Sequence, residues 1–430
     1  MRILYVSHYF PPEIGAPAGR VSGLARQWVR EGHNVEVLTG FPHHPTGVVP
    51  PEYRAALRRG YQRETFDGVH VHRTWIFPAA NRGKVLRSLN YLSFMLSAAL
   101  TGSLRIERPD VVIATSPQLL CAGAGMLLAR RFGVPLVMEV RDLWPESLVA
   151  VGASGTRSPL VRGLEKLARA LYRSAAHVVT VTDAQRAAII GAGIGPQRIT
   201  VIPNGVDDEF IARADAAPQP AENEFVITYI GTLGMAHHLE TLLDAAHALR
   251  GESGVRFQIV GEGARRAALE QRAREMQLTN VMFAGERPRD EVPRWIAGSH
   301  LCAVLLRKTD VFLTVVPSKM LEIMAAGCPM VLGVEGEAKS LLERARAGVS
   351  IEPENAAQLA AAIRELRADP ARRRLLGQNG RHFVEAEFRR RALAQKYLSV
   401  LHAVATVPAA APAPEIEKEF SETETVSEVQ

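Results

Sequence analysis

The segment VVPSKMLEIMAAGCPMVLG, residues 315–333, has the start and stop signals of one strand-helix-strand unit. Pro317 suits the first turn of a helix, because proline lacks the amide hydrogen that this position leaves unpaired. Gly327 suits the helix end, since glycine readily adopts the left-handed backbone found there. Pro329 cannot continue a helix and leads into an apolar run. The segment therefore predicts a short strand, a helix from about Ser318, and a buried strand.

The same alternation of short apolar runs and amphipathic segments extends along most of the chain. Apolar runs lie at 2–6, 34–38, 111–114, 135–140, 225–230, 256–260, 280–285, 301–306 and 329–334. Runs of this kind, separated by helical patterns, are typical of parallel sheets covered on both faces. The turn-rich stretch IPNGVDDEF (202–210) interrupts the series and suits a hinge. We predict an α/β protein of two facing Rossmann-like domains with a cleft between them.

These patterns divide the 430 residues into four parts. An N-terminal domain is predicted at 1–203, a C-terminal domain at 204–380, and a last helical segment at 381–402. Residues 403–430 are rich in Pro and Ala and then acidic, which predicts a disordered tail.

The net charge of +6 is unevenly distributed, because residues 1–205 contain 24 Lys and Arg against 13 Asp and Glu. A basic face suits nucleic acid, anionic lipid or a phosphorylated substrate, and a generally high arginine content explains it equally. The chain has no RNA-binding motif, helix-turn-helix or zinc-finger pattern, so we predict no nucleic-acid partner.

The three cysteines and the N-terminus both favour a cytoplasmic protein. Cys121, Cys302 and Cys328 lie far apart in apolar stretches, without metal-ligand spacing, and are interpreted as reduced core residues. The first residues lack the apolar core and cleavage site of a signal peptide and are interpreted as a first strand.

The segment VLRSLNYLSFMLSAALTGSL (85–104) is apolar around most of a helix. Arg87 and Asn90 interrupt it, so a membrane-spanning helix is not expected. We interpret it first as a buried core helix and alternatively as an interfacial helix that contacts a membrane.

Two loops of the second half suit phosphate binding, because ligands of doubly wound sheets bind beyond the carboxyl ends of the strands. One is YIGTLGMAHHLETLL (229–243), where a strand runs through a Gly-x-x-Gly loop into a helix. The other surrounds Ser318 and Lys319, where helix N–H groups and an ammonium suit phosphate oxygens. Glu322, one turn further, suits a ribose diol or, equally, a solvated helix face.

Three motifs occur together: PPEIGAPAGR (11–20), VIPNGVDDEF (201–210) and PSKMLEIMAAGCPMV (317–331). In this combination, nearly all of residues 1–402 resembles the retaining glycosyltransferase family 4. More narrowly, EVRDLWPES (139–147) and GTLGMAHHLETLL (231–243) resemble a bacterial subgroup of fucosamine and colanic-acid-type transferases that assemble surface polysaccharides.

The resemblance implies a GT-B fold and roles for individual residues. The first domain is then the acceptor side, the second binds the nucleotide sugar, and 381–402 crosses back to the first domain. Catalytic roles are expected for Arg141, Asp142 and Lys319. Donor-binding roles are expected for Gly15, Ala16, Gly231, Thr232, Gly234, Arg287, Ser318, Lys319, Met320 and Glu322. Apart from the resemblance, acceptor-side roles are expected for Arg20, His43, His44 and Glu146, of which the two histidines lie in the irregular Pro- and His-rich loop 41–54.

The chain also departs from the family pattern. Thr314 stands where a second Glu is usual, and Thr232 and His237 stand where an Arg and a Lys are usual. Arg141 replaces a His that commonly contacts the donor sugar near its sixth carbon, which suggests a 6-deoxy or otherwise altered sugar. Arg141 and Asp142 are equally interpretable as a structural ion pair.

The expected function is retaining transfer of a sugar from a nucleotide donor, with UDP as the expected nucleotide and N-acetylated and 6-deoxy sugars as the candidate groups. The expected acceptor is a lipid-diphosphate-linked saccharide of capsule, O-antigen or exopolysaccharide synthesis, reached at the cytoplasmic face of the inner membrane. Alternatives are an epimerase or phosphorylase-like enzyme on the same fold, and a non-catalytic nucleotide-sugar-binding subunit. No cofactor is expected besides the donor, and no metal, because His43, His44 and the pair His237–His238 lack suitably spaced carboxylates.

Overall fold

The computed structural model describes residues 1–44, 46–80, 84–116, 118–143, 159–218, 220–221 and 223–406. Within these residues the chain forms two sheets, one in each half. The strands of the first sheet are β1 (Arg2–Val6), β2 (Asn34–Gly40), β3 (Tyr61–Phe66), β4 (Val69–Thr74), β5 (Val111–Thr115), β6 (Leu136–Val140), β7 (His177–Thr180) and β8 (Ile199–Val201). The helices between them are α1 (Ala16–Arg30), α2 (Pro51–Arg59), α3 (Lys84–Arg105), α4 (Leu119–Phe132), α5 (Pro159–Ser174) and α6 (Asp183–Gly191).

The first sheet has the strand order β3-β4-β2-β1-β5-β6-β7-β8. Its strands are parallel, with one exception: β3 pairs antiparallel with β4 at the edge. The central strands are buried on both faces, which explains why their sequences are continuous apolar runs.

The second sheet is parallel throughout, in the order β11-β10-β9-β12-β13-β14. Its strands are β9 (Phe225–Ile230), β10 (Val255–Val260), β11 (Val281–Gly285), β12 (Leu301–Leu305), β13 (Met330–Gly333) and β14 (Gly348–Ser350). The helices of this half are α7 (Asp208–Asp215), α8 (Glu240–Ala248), α9 (Arg266–Glu275), α10 (Val292–Ala297), α11 (Ser318–Ala325), α12 (Glu337–Ala345), α13 (Ala356–Ala368), α14 (Pro370–Glu387) and α15 (Arg390–Thr406). The α/β architecture of two Rossmann-like domains predicted from the sequence is confirmed.

Two details of the predicted elements need correction. Residues 315–317 form a loop after a short 3-10 helix at Asp310–Thr314, so no strand precedes α11. The helix that begins at Arg390 reaches Thr406, so residues 403–406 are helical, and the rest of the predicted tail, 407–430, lies outside the described residues. The three cysteines are buried and unpaired, as interpreted.

The last helix, α15, packs on the first sheet rather than on the second. Its buried face joins the apolar cluster on one side of that sheet. Trp28 Nε1 donates a hydrogen bond to the Ala394 carbonyl oxygen at 3.0 Å, and the Trp28 and Tyr397 rings pack edge to face. Residues 381–387 belong instead to α14, whose Gly377 lies so close to Gly327 that a Cβ would be 2.0 Å from the Gly327 carbonyl oxygen. The chain returns to the first domain after Phe388.

The two crossings between the domains lie side by side. We call residues 203–207 the first crossing and residues 388–390 the second crossing. Val206 N–H donates to the Phe388 carbonyl oxygen and Arg390 N–H donates to the Val206 carbonyl oxygen, each at 2.9 Å. The Arg390 side chain donates to Asp207 at 2.8 Å and to the Gly205 carbonyl oxygen at 2.6 Å. Backbone hydrogen bonds and the Arg390–Asp207 ion pair therefore hold the two crossings together.

Arg20 anchors the first crossing to the first sheet. Its guanidinium donates to Glu139 at 2.9 Å, to the Pro203 carbonyl oxygen at 2.7 Å and to the Ile202 carbonyl oxygen at 2.9 Å. The Arg20 and Glu139 side chains are 2% and 0% exposed. The predicted acceptor-side role of Arg20 therefore needs correction, because its N–H groups donate to Glu139 and to carbonyl oxygens at the hinge.

The helix α3 is neither wholly buried nor long and apolar enough to cross a membrane. Phe94 and Ala98 face the core, whereas leucines on the opposite face are exposed. The first interpretation, a buried core helix, is correct for one face alone. Within the described residues, no helix meets the length and hydropathy of a membrane span.

Replacing Arg20 with Met is expected to lower the free energy of unfolding by about 3–5 kcal/mol, because Glu139 would keep a buried charge without its partner. Chemical denaturation of the purified variants measures this effect. Arg30→Met is the matched control, since Arg30 pairs with Glu209 at the surface and such pairs contribute about 0–1 kcal/mol. Equal losses in the two variants would contradict the anchoring role.

Candidate active site

The carboxyl ends of the two sheets face each other across a cleft. In the first sheet β1 lies between β2 and β5, and in the second β9 lies between β10 and β12, so each sheet has a point where its strand order reverses. Open α/β sheets bind ligands at such points. The Thr182 hydroxyl, just after β7, donates to the Thr314 carbonyl oxygen at 3.1 Å. This hydrogen bond joins the two walls of the cleft.

The loop after β9 requires glycine because backbones approach each other there. Gly231 has a φ of +133°, and a Cβ at residue 261 would lie 1.9 Å from the Gly231 carbonyl oxygen. A Cβ at residue 263 would lie 2.4 Å from the Leu233 carbonyl oxygen. The predicted loop thus closes on a second glycine loop after β10. Gly234, also predicted, borders a small neighbouring cavity of about 100 Å³.

Lys319 points at this loop. Its Nζ donates to the Tyr229 hydroxyl at 3.0 Å and lies 4.2 Å from the centre of the Tyr229 ring. A Cβ on Gly231 would lie 2.8 Å from Nζ. Loss of hydration lowers the pKa of Lys319 to about 7, although Glu322 acts in the opposite direction. A nearby anion would therefore stabilise the charged form of Lys319.

The amide N–H groups at the start of α11 lie beside Lys319. N–H groups of a first helical turn have no intrahelical acceptors, and the helix dipole favours an anion there. Ser318 is half-buried at this end, as predicted. Met320 needs correction, because its side chain is fully buried in the core and its N–H donates to the Pro317 carbonyl oxygen at 3.0 Å.

Glu322 forms an ion pair with Arg289, a residue that the sequence analysis missed. The Glu322 side chain is 16% exposed, and the Arg289 guanidinium lies 5.5 Å from the centre of the Phe210 ring. A diol bound by Glu322 would share its carboxylate with Arg289. Arg287, predicted to bind the donor, is exposed and stacks on Trp295 at 5.3 Å.

The two residues that replace the usual Arg and Lys bring no charge to the loop. Thr232 is exposed, and its carbonyl oxygen accepts from Tyr229 at 2.8 Å. Burial, together with the charge of Lys319, lowers the pKa of His237 to about 3, so this imidazole is neutral at pH 7. Lys319 brings its ammonium against Gly231 itself, and Arg265 and Arg307 border the same loop at Gly234.

The first domain contributes a cavity of about 270 Å³ to the opposite wall. It lies where β1, β2 and β5 end and where α1 begins, and α3 forms one side. Its lining residues are Tyr9, Glu13, Ile14, Gly15, Pro17, Ala18, His44, Arg87, Tyr91 and Gln118. His44, predicted on the acceptor side, and Gly15, predicted to bind the donor, are among them, and the exposed Ala16, also predicted to bind the donor, lies between two lining residues.

Glu13 is the acid of this cavity. One of its oxygens accepts hydrogen bonds from the N–H groups of His43 and His44, at 3.0 and 2.9 Å. Burial nevertheless raises the pKa of Glu13. A carboxylate held this way suits a substrate hydroxyl.

His43 does not face the cavity, which corrects its predicted acceptor role. Its side chain is buried, and its two ring nitrogens lie 2.8 Å from the Phe41 carbonyl oxygen and 2.9 Å from Asn90 Nδ2. Asn90 continues to His8 at 3.1 Å. This network lies beneath the cavity and links α3 to the loops after β1 and β2.

Arg141 and Asp142 follow β6 at the cleft. Arg141 is 8% exposed, and among the described residues its Nε and Nη1 have no hydrogen-bond partner. Its carbonyl oxygen accepts from Gln185, whose N–H is capped by Thr182, the residue that contacts the opposite wall. Burial raises the pKa of Asp142. Glu146, the remaining predicted residue, lies outside the described residues.

No group of three or more His, Cys, Asp or Glu side chains in the described ranges is placed to hold a metal ion. Independence from metals stays a prediction.

Two family models match the chain in succession. The Glycosyl transferase 4-like domain matches residues 15–205, and Glycosyl transferases group 1 matches residues 211–383. The chain belongs to glycosyltransferase family 4. The boundary between the matches lies next to the first crossing, where the structure changes sheet.

Similar proteins support the assignment to this family and to its fold. The chain is 29% identical over 385 residues to the putative colanic acid biosynthesis glycosyl transferase WcaI of Escherichia coli (strain K12), covering 85% of this chain and 92% of that protein. The structure resembles sucrose-phosphate synthase from Thermosynechococcus elongatus with a TM-score of 0.75, at 19% identity, over 94% of this chain and 98% of the other. It also resembles Anabaena HepE in complex with UDP-glucose, with a TM-score of 0.67, at 19% identity, over 94% and 100% of the chains. The GT-B fold of this glycosyltransferase is thus shown.

Sequence reasoning missed several residues that the structure places at the site, among them Tyr9, Glu13, Arg87, Tyr91, Tyr229 and Arg289. Tyr229 lies within a strand pattern and Arg87 within a helical one, so neither was distinguishable from core or surface. Glu13 and Arg289 lie in loops that follow β1 and β11, and that position was the available signal.

The affinity for a nucleotide sugar is expected to fall as the pH rises above about 7, because Lys319 loses its proton there and a bound diphosphate favours the charged form. Titration calorimetry with UDP-glucose from pH 6 to pH 9 tests this, since its diphosphate diester does not titrate in that range. Lys319→Met is expected to bind more weakly and with a nearly flat profile. A wild-type slope retained in this variant would assign the titration to another group.

Proposed function

We propose that this glycosyltransferase transfers a sugar, with retention of anomeric configuration, from a UDP-linked donor to a lipid-diphosphate-linked saccharide. The product would enter a surface polysaccharide such as capsule, O-antigen or exopolysaccharide. The proposal rests on two sites that lie on opposite walls of one cleft. One is the Gly231 loop with the Lys319 ammonium, and the other is the first-domain cavity, which contains a carboxyl group and aromatic rings. The similarity to a putative colanic acid biosynthesis transferase supports this class of product.

The second domain would bind the donor diphosphate. The Gly231 loop leaves room for phosphate oxygens, and the Lys319 ammonium and the first N–H groups of α11 supply positive charge. Such donors favour the reaction most if they are aimed where negative charge develops on the leaving diphosphate. Glu322 would accept hydrogen bonds from the ribose, with Arg289 fixing its carboxylate.

The first domain would hold the acceptor. The Tyr9 and Tyr91 rings line the cavity and suit the apolar faces of sugars, and Glu13 suits a hydroxyl. Arg87, on the same wall, suits a phosphate of the carrier lipid. These interactions would turn an acceptor hydroxyl toward the donor across the cleft.

Arg141 would act between the two substrates. Its buried and unpaired Nε and Nη1 among the described residues favour a negatively charged partner, because an unpaired buried guanidinium is costly. Lying at the end of β6, it suits the donor phosphate or an altered group on the donor sugar. A 6-deoxy or N-acetylated sugar remains our proposal for the donor.

Retention would require the incoming hydroxyl to arrive on the face that the diphosphate leaves. A leaving phosphate oxygen can take the hydroxyl proton, so no side-chain nucleophile is needed. A lipid-borne acceptor would place the reaction at the cytoplasmic face of the membrane.

UDP is expected to raise the melting temperature by several degrees at a concentration far above its Kd, and GDP, dTDP and ADP by less. Glu322→Gln is expected to lose most of that increase. Glu343→Gln in the same domain is the control, because Glu343 is exposed and lies 4.0 Å from Lys339, away from the cleft. Absence of a shift with all four diphosphates would overturn the donor-site assignment.

Product analysis separates transfer from the alternatives. Incubation with a labelled donor and a membrane lipid extract is expected to give a labelled lipid-soluble product with the anomeric configuration of the donor. Isomerised donor without an acceptor would indicate an epimerase instead.

A further inference from the structure

The outward face of α3 is apolar along the whole helix. Large apolar side chains there are between 42% and 72% exposed. We call this set the apolar strip: Val85, Leu86, Leu89, Leu92, Leu96, Leu100 and Leu104. At 100° per residue these positions fall within about a third of the helix circumference. Single exposed leucines are ordinary, but a continuous row of this length marks an interaction surface.

Trp75 extends the apolar strip at its side. It lies after β4, is 43% exposed, and its carbonyl oxygen accepts a hydrogen bond from the Ser97 hydroxyl on α3. Tryptophan is enriched where protein meets the headgroup region of a bilayer, because its ring is apolar and its N–H remains polar. Its position suits a surface that enters lipid to a shallow depth.

The helices next to the apolar strip are strongly basic. The helix α4 packs against α3, since a Cβ on Gly123 would lie 3.2 Å from Met95 Sδ, and α5 packs beside α4. The described charges on the three helices are positive with one exception, Glu165. The positive residues are Arg87, Arg105, Arg130, Arg131, Arg162, Lys166, Arg169 and Arg173. Anionic headgroups complement this charge, because basic residues near a negatively charged membrane surface are attracted to it.

A second copy of the chain fits this face less well than lipid does. A two-fold interface would bring the same basic helices of both copies together, and like charges would repel. A bilayer with anionic lipids supplies apolar surface and negative charge in the same plane.

We propose that the apolar strip and the basic residues of α4 and α5 bind the surface of an anionic phospholipid bilayer, with α3 lying in the headgroup region. Arg87 and Tyr91 of α3 also line the first-domain cavity, so that cavity would open at the level of the lipid. The identity of a lipid-linked acceptor there rests on the proposed function. The membrane contact itself does not.

Vesicle flotation without any sugar nucleotide tests the contact. The full chain is expected to float with vesicles of equal parts phosphatidylcholine and phosphatidylglycerol, and much less with phosphatidylcholine alone. Leu96→Glu combined with Leu100→Glu is expected to weaken binding at least about tenfold, because two apolar side chains would no longer enter lipid. Arg130→Gln combined with Arg131→Gln is expected to weaken binding to anionic vesicles by a similar factor.

Leu375→Glu is the matched control, since Leu375 lies on α14 of the second domain and is 57% exposed. Its binding to vesicles and its melting temperature should equal those of the wild type. Equal binding by the Leu96 and Leu100 variant and this control would overturn the proposal. A concentration-dependent dimer that the same variant dissociates, without vesicle binding by the wild type, would overturn it as well.

The UDP thermal shift separates this proposal from the proposed function. The Leu96 and Leu100 variant is expected to keep the full UDP shift while it loses flotation. Flotation without a UDP shift in the wild type would retain the membrane contact and reject the donor site.

Discussion

The buried ion pair between Arg20 and Glu139 is the constraint on which the arrangement of the two domains depends. One guanidinium joins α1, the end of β6 and the carbonyl oxygens of Ile202 and Pro203, where the first crossing begins. Burial opposes ionisation of Glu139, but Arg20, Arg141 and the hydrogen bond from Tyr5 hold the pKa of this carboxyl below its usual value. The pair therefore stays charged at neutral pH. Through Arg20 it fixes the position of the first crossing relative to the first sheet.

The same pair shapes the charge of the cleft. Arg141 lies two residues after Glu139, close enough to stabilise its ionised form, yet Arg20 occupies the carboxylate. Arg141 is thus held near a negative charge without a direct bond to it within the described residues. On the facing wall the Lys319 ammonium donates a hydrogen bond to the Tyr229 hydroxyl rather than to a carboxylate. Within the described residues, each wall has a buried cation that lacks a hydrogen bond to a carboxylate. The negative charge of a diphosphate bound between the walls would stabilise both cations.

Sequence reasoning succeeded where the deciding information is local. Glycines at 231 and 327 and prolines at 317 and 329 specify backbone geometry by themselves, so the α11 boundaries, the strand β13 after it and the turn at Gly231 were predictable. It failed where burial depends on packing between distant segments. Arg20, His43 and Met320 were predicted as site residues, yet the fold turns them toward the hinge, Asn90 and the core. The exposure of one face of α3 was likewise not predictable, because an apolar sequence does not show which faces of a helix pack against other elements.

The return of α15 to the first sheet has a consequence for biosynthesis. Trp28 and the strand residues around it are covered by Leu393, Tyr397 and Leu401, which lie at the other end of the chain. Domains generally fold in order as they leave the ribosome. Here the amino-terminal domain cannot complete its apolar core until α15 has left the ribosome, whereas the second domain, which precedes α15 in the chain, leaves the ribosome earlier and is free to fold. The domain that is made first is therefore the domain that is finished last.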